Sequence, residues 1–293
     1  MEKWIVQPGQ TRIIDVEGIR RLKVGLAGGQ VDIIGHDEPG TRVEVHGVTV
    51  KDLRIEVTGD ELEIDHPQLR WDNFLEVFRN FGSGGPRAEI SVAVPRSVAL
   101  TLGVVSANAL VAGLANEARV NTVSGDVLVD GLTGDLTANA VSGDVQARAL
   151  NGAFSANTVS GDVTVSGWIH RANVDSVGGT TMIDAEGAID AVAVNTVSGN
   201  VTVRLDEGLP ANYVTRSASG RIVIDGTVRS SGGPSNVNAS IGELSGSFAD
   251  VRANTVSGEI TVLRRPGGQT SDTPAAAADQ SVTEPPTDPE EVL

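Results

Sequence analysis

The sequence predicts an all-β protein that forms a single-stranded β-solenoid, or β-helix, with coils of about 18 residues. Three observations lead to this prediction. Glycine is common at 35 residues and aromatic residues are only 3%, which is a turn-rich composition with small core side chains. A nine-residue motif returns almost unchanged through the second half of the chain. Segments of the first hundred residues alternate apolar and polar side chains, as half-buried strands do.

Residues 1–103 are predicted to form a strand-rich N-terminal cap. The segments TRIIDV, QVDIIG and LRIEVTGDELEID alternate in polarity between Gly and Asp turns. Such a cap would cover the open edge of the solenoid.

A short aromatic helix or loop is predicted within this cap at residues 67–87, which we call the aromatic segment. Trp71, Phe74, Leu75 and Phe78 follow helical spacing, and Phe81 adds a further apolar side chain. In one interpretation these side chains plug the cap. In the other they are an exposed interaction surface for a protein partner or for peripheral membrane contact.

Residues 104–263 are predicted to be the solenoid repeats. The motif copies begin, in chain order, at Asn121, Asn139, Asn157, Asp175, Asn195, Arg216 and Asn254. The first steps are 18 residues long, and the copy at Asn254 is expected to close the array. A nine-residue half-period also fits a meander of hairpins, but only a solenoid places residues one full period apart directly on each other. Only a blurred copy of the motif is visible in residues 234–247.

The repeat positions have distinct predicted roles. One inward stack is expected to contain Val127, Val145, Val163, Val201, Ile222 and Ile260, and a second Val129, Val165, Val203, Ile224 and Val262. A structural asparagine ladder is expected from Asn121, Asn139, Asn157, Asn195 and Asn254. The recurring glycines are expected to allow positive φ at the corners, at Gly125, Gly143, Gly161, Gly199, Gly220 and Gly258.

Acidic corners are the one candidate for a metal site. Asp126, Asp144 and Asp162 would form one column, whose like charges either point into water or share a cation such as calcium. Later copies replace the aspartate with Asn200, Arg221 and Glu259, and the spacing of calcium-binding nonapeptide repeats is absent. Solvated corners, with no metal and no cofactor, are therefore expected.

Composition and missing motifs argue against several function classes. The net charge is −16 and only three lysines occur, so nucleic-acid binding is not expected. Cysteine is absent, the four histidines are scattered, and no nucleophile elbow or phosphate-binding loop occurs, so neither an enzyme nor a small-molecule substrate is expected. No signal peptide or apolar run of membrane length is visible, which predicts a cytoplasmic protein. Residues 264–293, rich in Pro, Ala and acidic side chains, are predicted to be a disordered tail.

The strand ISVAVP followed by recurring T-x-S-G-D motifs, as in NTVSGDV from Asn121, resembles a bacterial family of adhesin-like β-solenoid domains called toastrack domains. The resemblance covers about residues 88–263. It implies the solenoid fold and an adhesin-like role, and some family members are associated with envelope-stress systems. We therefore expect a non-catalytic scaffold that presents surfaces to an unidentified protein partner. The alternative is a carbohydrate-active enzyme with a carboxylate cluster on one face, near Arg148 or Arg171.

Overall fold

The computed structural model describes residues 1–67, 85–244 and 246–265, and these contain 22 β-strands and no helix. The first eleven strands are β1 (Glu2–Val6), β2 (Arg12–Glu17), β3 (Arg21–His36), β4 (Gly40–Thr49), β5 (Leu53–Thr58), β6 (Glu61–Asp65), β7 (Arg87–Pro95), β8 (Ala99–Ala112), β9 (Ala118–Thr122), β10 (Val127–Asp130) and β11 (Leu136–Ala140). The others are β12 (Val145–Thr158), β13 (Val163–Ser176), β14 (Thr181–Ala185), β15 (Ala191–Thr196), β16 (Val201–Asp206), β17 (Ala211–Ser217), β18 (Ile222–Ile224), β19 (Thr227–Ser230), β20 (Ser235–Ile241), β21 (Ala249–Thr255) and β22 (Ile260–Arg265). The all-β prediction is confirmed.

The strands stack into two faces that enclose one hydrophobic core. Face A has thirteen strands in the order β1-β5-β6-β3-β8-β9-β11-β12-β13-β15-β21-β17-β20. Face B has the order β2-β4-β7-β3-β8-β10-β12-β13-β14-β16-β22-β18-β19. Four long strands, β3, β8, β12 and β13, belong to both faces, because their two halves pair with different strands. We call one face A strand with the face B strand that follows it in the chain a layer.

Neighbouring layers pair in parallel, so that equivalent residues lie on one another. Val127 pairs with Val145, and Val145 pairs with Val163. The members of both predicted inward stacks are buried, with at most 2% of each side chain exposed: Val127, Val145, Val163, Val201, Ile222, Ile260, Val129, Val165, Val203, Ile224 and Val262. Valine and isoleucine side chains therefore fill much of the space between the faces.

The spatial order of the layers departs from the chain order at the C-terminal end. The layer formed by β21 and β22, the inserted layer, lies between the layer of β15 and β16 and the layer of β17 and β18. Ile260 therefore pairs with both Val201 and Ile222. The prediction that the copy beginning at Asn254 closes the array is wrong.

Two arginines at the end of β22 bind the inserted layer to its neighbours. Arg265 forms ion pairs with Asp184 in β14 and with Asp206 in β16. Arg264 donates to the hydroxyl of Tyr213 in β17 and to the carbonyl of Leu209, 2.6 Å away. Both arginines fall in the predicted tail, whose remaining residues, 266–293, lie outside the described residues.

Antiparallel hairpins form the C-terminal end of the stack. Strand β19 pairs with β18 through the two-residue turn of Asp225 and Gly226, whose φ angles are 48° and 73°. Both angles are positive, as a type I′ hairpin turn requires. Strand β20 pairs antiparallel with β17, so the blurred copy in residues 234–247 supplies a hairpin strand and not a further parallel layer.

The N-terminal region shares the stack. Strand β3 pairs in parallel with β8, β6 and β7, and the strands beyond β6 and β7 pair antiparallel on both faces. Arg54 donates to both carboxylate oxygens of the buried Asp65 at 2.7 Å. The hydrogen bonds that Arg54 donates to Asp65 outweigh the cost of burial and raise the pKa of Arg54 above its usual value, so this guanidinium stays charged.

The corner glycines are required for a reason other than the predicted one. None of Gly125, Gly143, Gly161, Gly199, Gly220 and Gly258 has a φ in the left-handed range. Instead, a Cβ on Gly143 would lie 2.1 Å from the carbonyl oxygen of Gly125, and a Cβ on Gly258 would lie 1.8 Å from that of Gly199. The prediction of positive φ is wrong, and close contact with the preceding layer excludes a side chain.

Candidate interaction surface

The threonine of the repeated corner holds the turn between the two faces. The backbone N–H of Gly125 donates to the Thr122 hydroxyl at 3.0 Å, and the same contact joins Gly258 to Thr255 at 2.9 Å. These hydroxyls are buried, so each satisfies a polar backbone group that would otherwise lose its water. The sequence interpretation assigned no role to this threonine, although its place in T-x-S-G was a visible signal.

The asparagines predicted to form a ladder lie on face A with their amides in contact. Asn139 donates to the side-chain oxygen of Asn121, and Asn157 donates to that of Asn139, both at 2.9 Å. Further along, Asn195 donates to Asp175 and Asn254 donates to Asn195, both at 2.8 Å. Asp175 occupies the position between Asn157 and Asn195, and its carboxylate accepts but cannot donate.

The aspartates of the corners cap backbone groups of the following layer. The carboxylate of Asp126 accepts from the backbone N–H of Asp144 at 3.1 Å, and Asp144 accepts from Asp162 at 2.9 Å. Asn200 does the same for Glu259 at 3.0 Å, so an amide replaces the carboxylate without loss of the bond. A column that tolerates Asn is explained by hydrogen bonding and needs no shared ion.

The valine of the corner is exposed in five successive layers. We call Val141, Val159, Val177, Val197 and Val256 the valine column; their exposed fractions range from 38% for Val141 to 52% for Val256. The serine that follows is tied to the preceding layer, as when Ser160 donates to the carbonyl of Val141 at 3.1 Å. At the start of the column the equivalent Val123 is only 2% exposed and packs with Ala27 and Val105.

The exposed valines form one continuous stripe. Backbone hydrogen bonds run from Ser160 to Val141 and from Ser198 to Val177, which places each valine beside the next. Four intervals of about 4.8 Å give a stripe about 19 Å long. Single exposed valines are ordinary on protein surfaces, but apolar side chains aligned along one edge of a rigid stack are typical of a contact surface.

A charged cluster lies on face B, where the inserted layer meets its neighbours. Arg204 donates to Asp184 at 2.8 Å, and Arg265 contacts both Asp184 and Asp206. Burial alone would raise the pKa of Asp184, but the hydrogen bonds from the two arginines outweigh it and hold the pKa below its usual value. Each charge in this cluster has an opposite partner, which is the arrangement of a structural network.

Aromatic side chains of the repeats are divided between core and surface. Phe154 and Tyr213 are buried, at 1% and 0% exposure, while Trp168 is 64% exposed and its ring lies against Gly187. The predicted interaction residues of the aromatic segment, Trp71, Phe74, Leu75, Phe78 and Phe81, lie outside the described residues. Their role stays a prediction.

One of the two arginines of the alternative catalytic arrangement forms a local hydrogen bond. Arg148 donates to the side chain of Gln146 at 3.0 Å. In residues 1–67, 85–244 and 246–265, no group of three or more His, Asp or Glu side chains is close enough to hold a metal ion. The same residues contain no helix that is long and apolar enough to cross a bilayer.

The chain is similar to several solved structures. A "Putative lipid binding protein" from Parabacteroides distasonis is 17% identical, with a TM-score of 0.52, over 88% of this chain and 99% of its own. A "putative adhesin" from Bacteroides fragilis is 11% identical, with a TM-score of 0.44, over 88% of this chain and 100% of its own.

A comparison with curated proteins found no match. The Toastrack DUF4097 family, in contrast, matches residues 19–263. This match includes the strands of β3 and β8, the repeated corners and the inserted layer. The chain therefore belongs to the Toastrack DUF4097 family.

Proposed function

We propose that the layers are coils of a single-stranded β-solenoid, and that this solenoid is a non-catalytic scaffold whose valine column binds another protein. The 18-residue offset between Val127, Val145 and Val163 supports the coil size. The next step is longer on both faces: Arg171 pairs with Ala191 and Thr181 pairs with Val201, each 20 residues on.

The observation that carries the proposal is the division of roles within the corner motif. In NTVSGDV, the Asn, Thr, Ser and Asp side chains each form a hydrogen bond that joins or holds the layers. Glycine is fixed by close contact with the layer before it. The valine that follows the threonine is the position whose side chain points into solvent in five layers. Because the fold does not need these valine side chains, the surface of the valine column is available for a partner.

A non-catalytic role is supported by the use already made of the polar side chains. The carboxylates that a β-helix glycosidase would need are engaged in capping backbone N–H groups of the next layer. The paired charges of Asp184, Arg204 and Arg265 are engaged with one another. An assembly related to the bacterial envelope or to stress, which the family resemblance implies, stays a prediction about the partner.

The test is a comparison of two triple variants expressed in cells. The first carries Val159→Asp, Val177→Asp and Val197→Asp in the valine column. The control carries Ser155→Asp, Asn173→Asp and Ala193→Asp, three positions that stack in the same way on the outer side of face A. Both variants gain three stacked carboxylates, so they differ only in which surface is changed.

We expect the wild type and the control to co-purify with the same protein after native crosslinking, and the valine-column variant to lose it. Circular dichroism and thermal unfolding establish that all three chains are folded. Equal recovery of that protein with the valine-column variant contradicts the proposal, as does the absence of any protein specific to the wild type.

A further inference from the structure

The two ends of the stack differ in charge. The end strands near the N-terminus, β1 and β2, contain Glu2, Lys3, Arg12, Asp15 and Glu17. Strand β20, the end of face A near the C-terminus, contains no charged residue and no proline in Ser235–Ile241. Its neighbour on face B, β19, contains only Arg229. In a chain with a net charge of −16, this end is close to neutral.

The edge of β20 is also open. This strand pairs with β17 along all seven residues without a bulge, and within residues 1–67, 85–244 and 246–265 no strand pairs with its other edge. A strand edge presents unpaired N–H and C=O groups, and proteins usually protect such edges with charges, proline or bulges. Strand β20 has none of these protections.

The core itself is unsealed at this end. Val237 and Ala239 are half-buried and pack against the core, which makes them the last inward side chains of face A. Nearby, Val228 is 52% exposed, Leu244 39% and Ile241 38%. Another strand placed beside β20 would remove these apolar atoms from water and satisfy the free backbone groups.

We propose that a second copy of this chain occupies the edge, with the two β20 strands antiparallel about a two-fold axis through Asn238. In this pairing Val237 of one copy lies opposite Ala239 of the other, so inward residues meet inward residues. The outward Asn238 side chains lie on each other, which extends the amide contacts seen in the asparagine ladder. The interaction is isologous, joins two stacks end to end and stops at the dimer. It goes beyond the proposed function and does not depend on the valine column.

Self-pairing suits this edge better than pairing with the chain's own C-terminal segment. Residues 266–293 contain five prolines and six acidic residues, and a proline cannot donate to a strand ladder. Two copies of β20 bring together uncharged strands at the one end of each acidic molecule where repulsion is smallest. The contact is small compared with a standard interface of roughly 1,600 Å², so the dimer is expected to depend on concentration.

The absence of cysteine from the sequence allows a direct test. In the Asn238→Cys variant, a disulfide between two copies can form only if the two residues at position 238 lie opposite each other. The matched control is Asn236→Cys, an equally exposed asparagine on the same strand. In the proposed pairing, residue 236 of one copy lies opposite residue 240 of the other. The two copies of residue 236 are then about 13 Å apart, too far for a disulfide.

Under mild oxidation we expect the Asn238→Cys chain to form disulfide-linked dimers at least about tenfold faster than the Asn236→Cys chain. A mixture of Asn236→Cys and Ser240→Cys chains should crosslink to each other rather than to themselves. Equal rates for the two single variants, or no crosslinking at micromolar to millimolar concentration, overturn the proposal.

The same experiment with chains that end at Arg265 distinguishes the other occupant. If a second copy occupies the edge, Asn238→Cys crosslinks at a similar rate with or without residues 266–293. Crosslinking that appears only after their removal shows that the chain's own segment covers β20, and this outcome also overturns the proposal. Concentration-dependent sedimentation of the wild type provides an independent readout.

Discussion

At the scale of single residues, each position of the repeated corner has a different role. Thr122 satisfies the N–H of Gly125, Asp126 satisfies that of Asp144, and the glycines allow the backbones to approach. Because equivalent residues repeat these contacts in layer after layer, a change at one corner disturbs two layers. The size of the effect depends on whether the neighbouring group is backbone, which cannot move away easily.

A substitution of Gly143→Ala is expected to lower the free energy of unfolding by about 2 to 3 kcal/mol, because the new Cβ would overpack the corner. That Cβ would lie 2.1 Å from the carbonyl oxygen of Gly125. Denaturant unfolding followed by circular dichroism measures the change. The control is Gly40→Ala, where no atom lies within 4 Å of the added carbon and φ is not positive. Similar stabilities for the two variants would contradict the steric explanation.

His66 is expected to make stability depend on pH. Its side chain is buried, and burial lowers its pKa to about 4, against a smaller opposing effect of the Asp65 charge. The unfolded chain binds this proton near pH 6.5, so between pH 6.5 and 4 the unfolded state holds more protons and stability falls as pH falls.

We expect the wild type to lose on the order of 2 to 3 kcal/mol through this group over that interval, and His66→Gln to lose correspondingly less. Urea unfolding at pH 7.0, 5.5 and 4.5 measures both chains. Parallel pH profiles for the two chains would show that His66 is not buried as a neutral side chain.

At the scale of elements, the inserted layer is the feature that joins the C-terminal hairpins to the rest of the stack. Strands β17 and β18 make their parallel contacts with β21 and β22. Arg264 and Arg265 add bonds in both directions, to Tyr213 on one side and Asp184 on the other. The layer therefore functions as a connector whose loss separates two otherwise ordered parts.

A chain that ends at residue 248 is expected to keep a folded stack up to β16 and to lose protection in residues 207–241. Hydrogen exchange measured by mass spectrometry would show rapid exchange in β17, β18 and β20, with slow exchange retained in β9 to β14. A chain that ends at Arg265 is the control, and its exchange in these strands should match that of the full chain. Protection of β17 in the shorter chain would contradict this dependence.

Much of this architecture could be predicted because like residues lie on like. The repetition of Val127, Val145 and Val163 indicated an inward stack, and these residues are buried. The order of Ile260 and Ile222 could not be predicted in the same way, since both carry equivalent side chains and either fits above Val201. The sequence contains the members of a stack but not their order once two members are interchangeable.

The candidate surface was less predictable than the core. The aromatic segment has an unusual composition, whereas the valine column has an ordinary one. Its exposure depends on where the corner lies relative to the two faces, which motif spacing alone does not determine. The glycines illustrate the same limit: their presence was visible, but the contact between Gly143 and Gly125 that requires them exists only in the stack.

At the scale of the whole molecule, thirteen strands of face A follow one another at about 4.8 Å, so twelve intervals give a stack about 58 Å long. Small-angle X-ray scattering of the chain ending at Arg265 should therefore give a maximum dimension of about 60 Å at low concentration. A compact globule of this chain length would be close to 50 Å across. A value near the lower figure would contradict the extended stack. Growth of this dimension with concentration would reflect the end-to-end pairing of β20.

The position of the inserted layer also constrains how the protein is made. As the nascent chain leaves the ribosome, layers from β8 to β16 can add in chain order, since each needs only the one before it. The next strands to emerge, β17 and β18, have no parallel neighbour until β21 and β22 have been synthesised. During this interval the edge of β16 is uncovered, and Val201 and Val203 are open to incorrect partners. The stack is therefore complete only after translation has reached Arg265. Chains that stop earlier expose an edge that chaperones and proteases can recognise.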